Sequence, residues 1–352
     1  AIWTVQSSAS IAYVAASLEP ATVSQGQTHS FSLDLFNSGE AAVILDPDNT
    51  RISFSDGTDD YSVTLGTERA LTGDAVSGLV FPAAPVPAGM DAGTLPVTIE
   101  LSGTENGGSF DTAFVLSDPV TVVTPASIVY TGGSLAPSTV SKNSSVAFEA
   151  QFDNTGGAEV ILDPASTTLE FSDGSTTYTA YLDGARGDLL GPGPGTLWFE
   201  AVTVPAAFIN GAYAPVITLT GSENGLPFSA QPVVTDAVTV QDASQLAVNS
   251  TDLLPTDLFT ADQAGVRVVE IRIANNGGAI VRLDSLDVRF YVGGSEVTGE
   301  YTLTPAPDIA GIQVPGGADT VGRMVFSDGA GPMTTGTVTV ESSVWGTCLL
   351  YT

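Results

Sequence analysis

The sequence predicts an all-β protein built from tandem antiparallel sandwiches. Two observations predict this: the chain repeats itself, and within each repeat apolar residues alternate with polar or small ones. Alternation with a period of two is typical of half-buried strands. No helical stripe longer than about two turns interrupts it. Apolar residues make up 43% of the 352 residues, so the chain can form several cores.

The internal repeat predicts the domain boundaries. Segments of the first repeat recur 117 or 118 positions later in the second, and a diverged third repeat follows. The clearest matches are Ile44-Leu-Asp-Pro47 with Ile161-Leu-Asp-Pro164, Glu105-Asn-Gly107 with Glu223-Asn-Gly225, and Asn154-Thr-Gly-Gly-Ala158 with Asn275-Asn-Gly-Gly-Ala279. We therefore expect an N-terminal strand at residues 1–8 and domains at 9–124, 125–242 and 243–352.

The strands and turns of each repeat point to one architecture. Alternating segments occupy residues 29–36, 145–152 and 266–273. Asn-x-Gly, Ser-Asp-Gly and Glu-Asn-Gly lie between strands as turns, where Gly or Asn adopts a positive φ at little cost. Short strands in units of about 115 residues are typical of immunoglobulin-like sandwiches. The sequence thus predicts three tandem immunoglobulin-like domains, the last lacking its final strand.

The start of each repeat resembles a known class of domain. The pattern is Leu-x-Pro-x-x-Val-Ser, an alternating strand, and then Phe-x-Asn-x-Gly-x-Ala. In the second repeat it comprises Leu135, Pro137, Val140, Phe152, Asn154, Gly156 and Ala158. It resembles bacterial and archaeal extracellular immunoglobulin-like repeats, including the CARDB type. The resemblance implies a stalk, an adhesin or a surface-structure module outside the cell.

The two ends of the repeat pattern are out of phase by one strand. The first two domains finish with strands at 119–123 and 237–241. In the third, aligning Val338 with Val216 and Gly346 with Gly225 leaves six residues for the penultimate strand and none for the last. At the other end, Thr4 and Val5 align with residues 121 and 122, so residues 1–8 have the sequence of a final strand.

Strand addition would provide both the missing strand of the third domain and a place for residues 1–8. A sandwich lacking a strand exposes unpaired backbone groups and an apolar groove, which such a segment can fill. The predicted donor residues are Ile2, Trp3, Thr4 and Val5, and the predicted acceptor residues are Val338, Val340, Leu349 and Tyr351. Donation between molecules is head-to-tail and propagates into a filament unless it closes into a ring. Two alternatives stay open: the segment folds back onto the third domain, or it packs on the first domain as an extra edge strand.

Composition excludes several function classes. Thirty-nine acidic and nine basic residues give a net charge of −30, which repels nucleic acid and anionic membranes. No apolar stretch is long enough for a membrane-spanning helix, so we expect no membrane insertion. One histidine and one cysteine leave little scope for catalysis or a metal centre, so we expect neither an enzyme nor a cofactor. Carboxylates alone would support only glycosidase-like chemistry. A start at Ala1 is expected after removal of a signal peptide.

A few other residues are candidates for a site. Asp56, Asp59 and Asp60 form a weak Ca²⁺ candidate, although a solvated hairpin turn is the preferred interpretation. Asn143 and Asn249 fit the N-glycosylation pattern.

Four further residues are interpreted as structural. His29 starts a strand, Cys348 is a small hydrophobe, and Glu105 and Glu223 are turn residues in separate domains.

These features together predict a structural subunit of an extracellular filament whose partner is itself. The alternative is a monomeric cell-surface adhesin or a carbohydrate-binding stalk.

Overall fold

The computed structural model describes residues 4–254, 267–305, 310–328 and 334–348. These residues form strands and loops, with a single 3₁₀ turn at Thr298–Glu300. The all-β prediction is confirmed. Strand pairing stays within three segments of the chain, which are called the first, second and third units below. The exact domain boundaries stay a prediction.

The first unit contains twelve strands. They are β1 (Ile11–Tyr13), β2 (Thr22–Ser24), β3 (Thr28–Asn37), β4 (Val43–Leu45), β5 (Arg51–Ser55), β6 (Asp60–Thr64), β7 (Arg69–Leu71), β8 (Ala75–Pro85), β9 (Gly93–Leu95), β10 (Thr98–Glu105), β11 (Gly108–Val115) and β12 (Val120–Val123). One sheet has the order β1-β3-β8, and the facing sheet contains β6-β5-β10 with β11 on the far side of β10. A small third sheet places β12 between β2, which is parallel, and β9, which is antiparallel.

The second unit repeats this arrangement. Its strands are β13 (Ile128–Tyr130), β14 (Thr139–Ser141), β15 (Ser145–Asn154), β16 (Val160–Leu162), β17 (Thr168–Ser172), β18 (Thr177–Tyr181), β19 (Leu189–Leu190), β20 (Gly193–Thr203), β21 (Gly211–Tyr213), β22 (Val216–Glu223), β23 (Leu226–Ala230) and β24 (Val238–Gln241). The sheets are β13-β15-β20, β18-β17-β22-β16-β19 with β23 beside β22, and β14-β24-β21.

The third unit has two sheets among its described residues. Its strands are β25 (Leu246–Leu254), β26 (Arg267–Asn275), β27 (Val281–Val292), β28 (Ser295–Glu296), β29 (Tyr301–Pro305), β30 (Gln313–Val314), β31 (Asp319–Asp328) and β32 (Val338–Cys348). The sheet orders are β25-β26-β31-β29 and β28-β27-β30, with β32 also paired to β27. No described strand of this unit takes the place of β12 or β24.

This strand order is that of an immunoglobulin-like sandwich. The sheet β1-β3-β8 corresponds to strands A, B and E, and β6-β5-β10-β11 corresponds to C′, C, F and G. In the third unit β25-β26-β31-β29 adds strand D to the first sheet. The sequence alternation produces these layers because every second side chain of a strand faces the core. On β3, for example, Phe31, Leu33 and Leu35 are buried.

Candidate strand donor and strand acceptor

The chain enters all three units in the same way. At the first unit, the backbone N–H of Ala41 donates to the carbonyl of Ser7 across 3.1 Å. The corresponding bonds are Ala158 N–H to Thr124 O and Ala279 N–H to Asp242 O, both 3.0 Å. Thr124 directly follows β12 and Asp242 directly follows β24. Ser7 therefore stands where the first residue after a final strand stands elsewhere in the chain.

A buried asparagine fixes this entry. Asn37 is 1% exposed, and its Oδ1 accepts from the N–H groups of Ser10 and Gly39, both at 3.1 Å. Its Nδ2 donates to the carbonyls of Ala41 at 2.8 Å and Leu71 at 3.4 Å. One side chain thus ties the entering segment, the following turn and β7 together.

The same network recurs around the other two asparagines of the Asn-x-Gly-x-Ala motif, Asn154 and Asn275. The glycine of the motif is required, because the entering backbone crosses directly over it. A Cβ on Gly39 would lie 1.9 Å from the carbonyl oxygen of Ser8, and Gly156 and Gly277 have the same 1.9 Å approach. The motif is therefore the docking point for whatever precedes each unit.

It follows that residues 4–6 occupy the sequence position of β12 and β24. Val5 corresponds to Val122 and Val240, which are each 1% exposed as central-strand residues of their units. Val5 itself is 91% exposed. Thr4 is also exposed, while Ile2 and Trp3 lie outside the described residues. The described part of the predicted donor is thus accessible.

The first unit does not take up the segment as an edge strand within residues 4–8. These residues are not assigned to any strand. Besides the bond from Ala41 to the Ser7 carbonyl, their side-chain contacts with the first unit include two bonds to Glu40. Gln6 Nε2 donates to Glu40 O at 3.4 Å, and the N–H of Ser7 donates to a Glu40 carboxylate oxygen at 3.0 Å. Residues 4–8 are therefore not an additional edge strand of the first unit, which was one of the two alternatives.

Two of the predicted acceptor residues lie on β32, whose open edge is the position of a penultimate strand. In the first unit β10 has β11 as a neighbour, and in the second unit β22 has β23. Among the described residues β32 pairs with β27 alone. Val338 and Val340 pack against the core but are only partly buried. The other two predicted acceptor residues, Leu349 and Tyr351, lie outside the described residues.

The register of β32 corrects the sequence alignment. Leu283 is opposite Gly346, as Leu162 is opposite Gly221 in the second unit. Gly346 therefore corresponds to Gly221, and the alignments with Gly225 and of Val338 with Val216 are wrong. The reason is physical: backbone of the neighbouring strand approaches both glycines too closely for a side chain, and this contact sets the register.

As a consequence, Thr347 and Cys348 lie on β32 and not on the penultimate strand, to which the alignment assigned the last six residues. Neither β23 nor β24 has a described counterpart in the third unit. In the first unit, the final strand β12 lies between β2 and β9. The segments of the third unit that correspond to β2 and β9 lie between β25 and β26 and between β31 and β32. Residues 255–266 and 329–333 of those segments lie outside the described residues.

A contact between the first two units was missed by sequence reasoning. Ser24, fully buried at the end of β2, donates its hydroxyl to Glu223 Oε1 at 2.6 Å, and Asn224 Nδ2 donates to Ser24 Oγ at 2.8 Å. Glu223 is 3% exposed and also accepts from the N–H of Ala126 at 3.3 Å. Glu223 is the last residue of β22, directly before the predicted turn, and it also joins two units. The only sequence signal for this contact was that both motifs, Val-Ser and Glu-Asn-Gly, recur in the first two repeats.

The Asp56 group forms a hydrogen-bonded turn. Asp56 Oδ1 accepts from the N–H groups of Thr58 at 2.7 Å and Asp59 at 2.8 Å, and its other oxygen accepts from the N–H of Asp91. These bonds, led by that of Asp59, hold the pKa of Asp56 below its usual range. Throughout the described ranges, no cluster of three or more His, Cys, Asp or Glu side chains is arranged to bind a metal ion.

The corresponding turn of the second unit predicts a pH dependence. The N–H groups of Ile209 at 2.9 Å, Thr176 at 2.7 Å and Ser175 at 2.9 Å hold the pKa of Asp173 well below 3.8. A depressed folded-state pKa stabilises the fold above the unfolded-state pKa, and this contribution is lost as the pH falls through the folded-state pKa. We expect Asp173→Asn to lower the thermal midpoint near neutral pH and to converge with the parent chain as the pH falls below 3.8.

Calorimetry across this pH range measures the effect, with Asp60→Asn on the exposed side of the other hairpin as the control. A gap between parent chain and Asp173→Asn that widens on acidification would contradict the assignment.

The remaining candidate residues are located as follows. Asn143 is exposed in a turn at φ 60°, and Asn249 is exposed at a bulge of β25. Both acceptor sites are accessible, and glycosylation stays a prediction. His29 is 3% exposed, and burial lowers its pKa despite the nearby Glu223 carboxylate. Cys348 is a free, partly buried thiol.

Comparisons with known proteins give no family. No protein-family profile matches the chain, and no curated protein does. Among solved structures, a marsupial T cell receptor has 10% identity and a TM-score of 0.30, with 97% of this chain and 99% of that one covered. Dpr2 Ig1-Ig2 in complex with DIP-Theta Ig1-Ig3 has 11% identity and a TM-score of 0.22, with 94% and 97% covered.

The sporulation control protein Spo0M from Bacillus subtilis has 12% identity and a TM-score of 0.23, with 55% of this chain and 90% of that one covered. At such values the likenesses carry no argument, so the fold assignment rests on the strand order above. In the described part of the chain, no helix is long and apolar enough to cross a membrane.

Proposed function

We propose that this protein is a structural subunit of an extracellular filament that assembles head-to-tail by strand donation. Residues 1–8 of one copy insert into the third unit of the next copy as its final strand. The observation that carries the proposal is the contrast at Val5, which is 91% exposed while Val122 and Val240, at the same position of the repeat, are 1% exposed. The same position of the repeat is thus buried in a central strand of the first and second units, and exposed to solvent in the segment that precedes the first unit.

The energetics favour such a joint. Burying Val5 and Trp3 as their counterparts are buried contributes about 1.5–3 kcal/mol for each side chain. In the first unit, β12 is paired along its length with β2 on one side and β9 on the other. Each ladder hydrogen bond of this kind contributes about 0.5–1.5 kcal/mol. A central strand gains bonds on both edges, so a short segment is sufficient for a specific joint.

The third unit is the proposed acceptor because its described strands leave the final-strand position without an occupant. Val338 and Val340 on β32 lie only partly covered at the core. Donor and acceptor are at opposite ends of a chain of three units, so the contact is heterologous and propagates. The sparse charge and abundant Ser, Thr, Gly and Ala suit a location outside the cell, and glycans on Asn143 or Asn249 are compatible with this function.

Electron microscopy and light scattering of the full chain, beside a variant lacking residues 1–6, test the proposal. We expect filaments from the full chain and monomers from the variant. A synthetic peptide of residues 1–8 should then raise the thermal midpoint of the truncated variant, whereas a scrambled peptide should not. Monodisperse monomers from both chains, with no effect of the peptide, would overturn the proposal and favour a monomeric adhesin or carbohydrate-binding stalk.

A further inference from the structure

The turn at Glu105 and Asn106 in the first unit is a second copy of the turn that joins the first two units. Asn106 and Asn224 both have φ 47°, and the glycines that follow them, Gly107 and Gly225, have φ 82° and 79°. The turn at Glu223 is occupied by the Ser24 hydroxyl. The turn at Glu105 has the same backbone shape. It lies on the first unit where the turn at Glu223 lies on the second.

The carboxylate of Glu105 is already oriented for the contact. Its Oε1 accepts from the N–H of Ala9 at 3.0 Å, as Glu223 Oε1 accepts from the N–H of Ala126 at 3.3 Å. Glu105 is partly buried and Asn106 is exposed, whereas Glu223 is 3% exposed. The difference in burial arises because Glu223 and Asn224 are covered by the first unit, while Glu105 and Asn106 have no such cover among the described residues.

We infer that the Glu105–Asn106 turn is a docking contact for a second copy of this chain. This inference rests on the proposed function. If residues 3–6 take the place of β12 in an acceptor, the Ser7 and Asn37 contacts fix the first unit against that acceptor as the second unit is fixed against the first. The turn then meets the end of the neighbouring copy, with a carboxylate that accepts and an amide that donates.

The chemistry identifies the group that the turn binds. In the intramolecular joint, the Ser24 hydroxyl donates to the carboxylate and accepts from the amide. The group on the neighbouring copy therefore both donates and accepts a hydrogen bond. The donor strand supplies the affinity of the joint. The Glu105–Asn106 turn sets the angle between consecutive copies, because paired polar groups fix register at interfaces.

The inference predicts a local change in the filament. In Asn106→Gly the positive φ is retained at no steric cost while the amide is removed. We expect filaments still to form, to dissociate about tenfold faster, and to bend more at the junctions between copies, as for loss of about one buried hydrogen bond. Glu105→Gln should act in the same direction. Electron microscopy measures the bending, and dilution followed by light scattering measures dissociation.

Asn224→Gly is the matched control, because it removes the same amide from the joint within the chain. It should loosen the first unit against the second and leave dissociation of copies unchanged. Filaments of Asn106→Gly with parental dissociation and curvature would overturn this inference and leave strand donation intact. A parent chain that forms no filaments would overturn both.

Discussion

Val5→Asp is expected to abolish filament formation. Its counterparts, Val122 in the first unit and Val240 in the second, are each 1% exposed in the central strand of a three-stranded sheet. Placing an unpaired carboxylate there removes about 1.5–3 kcal/mol of apolar burial and adds the cost of desolvating a charge. A combined loss of about 4 kcal/mol weakens association about 1,000-fold. Sedimentation or light scattering as a function of concentration measures this loss.

Val80→Asp is the matched control. Val80 lies on β8 and is 64% exposed, so the same substitution there adds the same charge without affecting a buried position. Its filaments should form and unfold as those of the parent chain do. Val5→Asp should instead unfold at the midpoint of the variant lacking residues 1–6, because its third unit receives no donor strand and Val5 makes no core contact in the isolated subunit. If Val5→Asp assembles as well as Val80→Asp, the donor strand is not where we place it.

Asn154→Ala should cause a large loss of stability in the second unit. The side chain is 2% exposed, and its Oδ1 accepts from the N–H groups of Ser127 and Gly156, both at 3.1 Å. Its Nδ2 donates to the carbonyls of Ala158 at 2.7 Å and Leu190 at 3.4 Å. Removing it leaves buried backbone groups without partners, and each such group costs about 1–3 kcal/mol. We expect a loss of about 3–5 kcal/mol in the unfolding free energy of the second unit.

Urea unfolding followed by the fluorescence of the half-buried Trp198 in the same unit measures this loss. Asn210→Ala is the comparison within the same unit, since Asn210 is exposed and its side chain bonds to Asp242 at 2.7 Å. It should cost less than about 1 kcal/mol. Equal effects of the two substitutions would contradict the docking role of the Asn-x-Gly-x-Ala motif.

The sequence by itself determined the strands and the repeat, and it placed residues 4–6 at the position of a final strand. These are local properties: alternation assigns a side chain to one face, and Gly and Asn mark positions where φ is positive. For the same reason the alignment of Thr4 and Val5 with residues 121 and 122 agrees with the contacts of Ser7, because the first two repeats have nearly equal spacing. The role of the motif asparagine was not predicted, although its position was.

Only the tertiary structure decided the register of β32 and the joint at Ser24. Loop lengths in the third unit differ from those in the other two, so matching residue types placed Gly346 opposite the wrong partner. The close approach of the Arg282 carbonyl to Gly346 then fixed the true register, with Gly346 opposite Leu283. Ser24 and Glu223 are 199 positions apart, and no local pattern encodes that a turn of one unit covers a strand end of another. Contacts of this kind depend on how folded units dock, which is set by shape and by unpaired polar groups that become apparent only once the chain has folded.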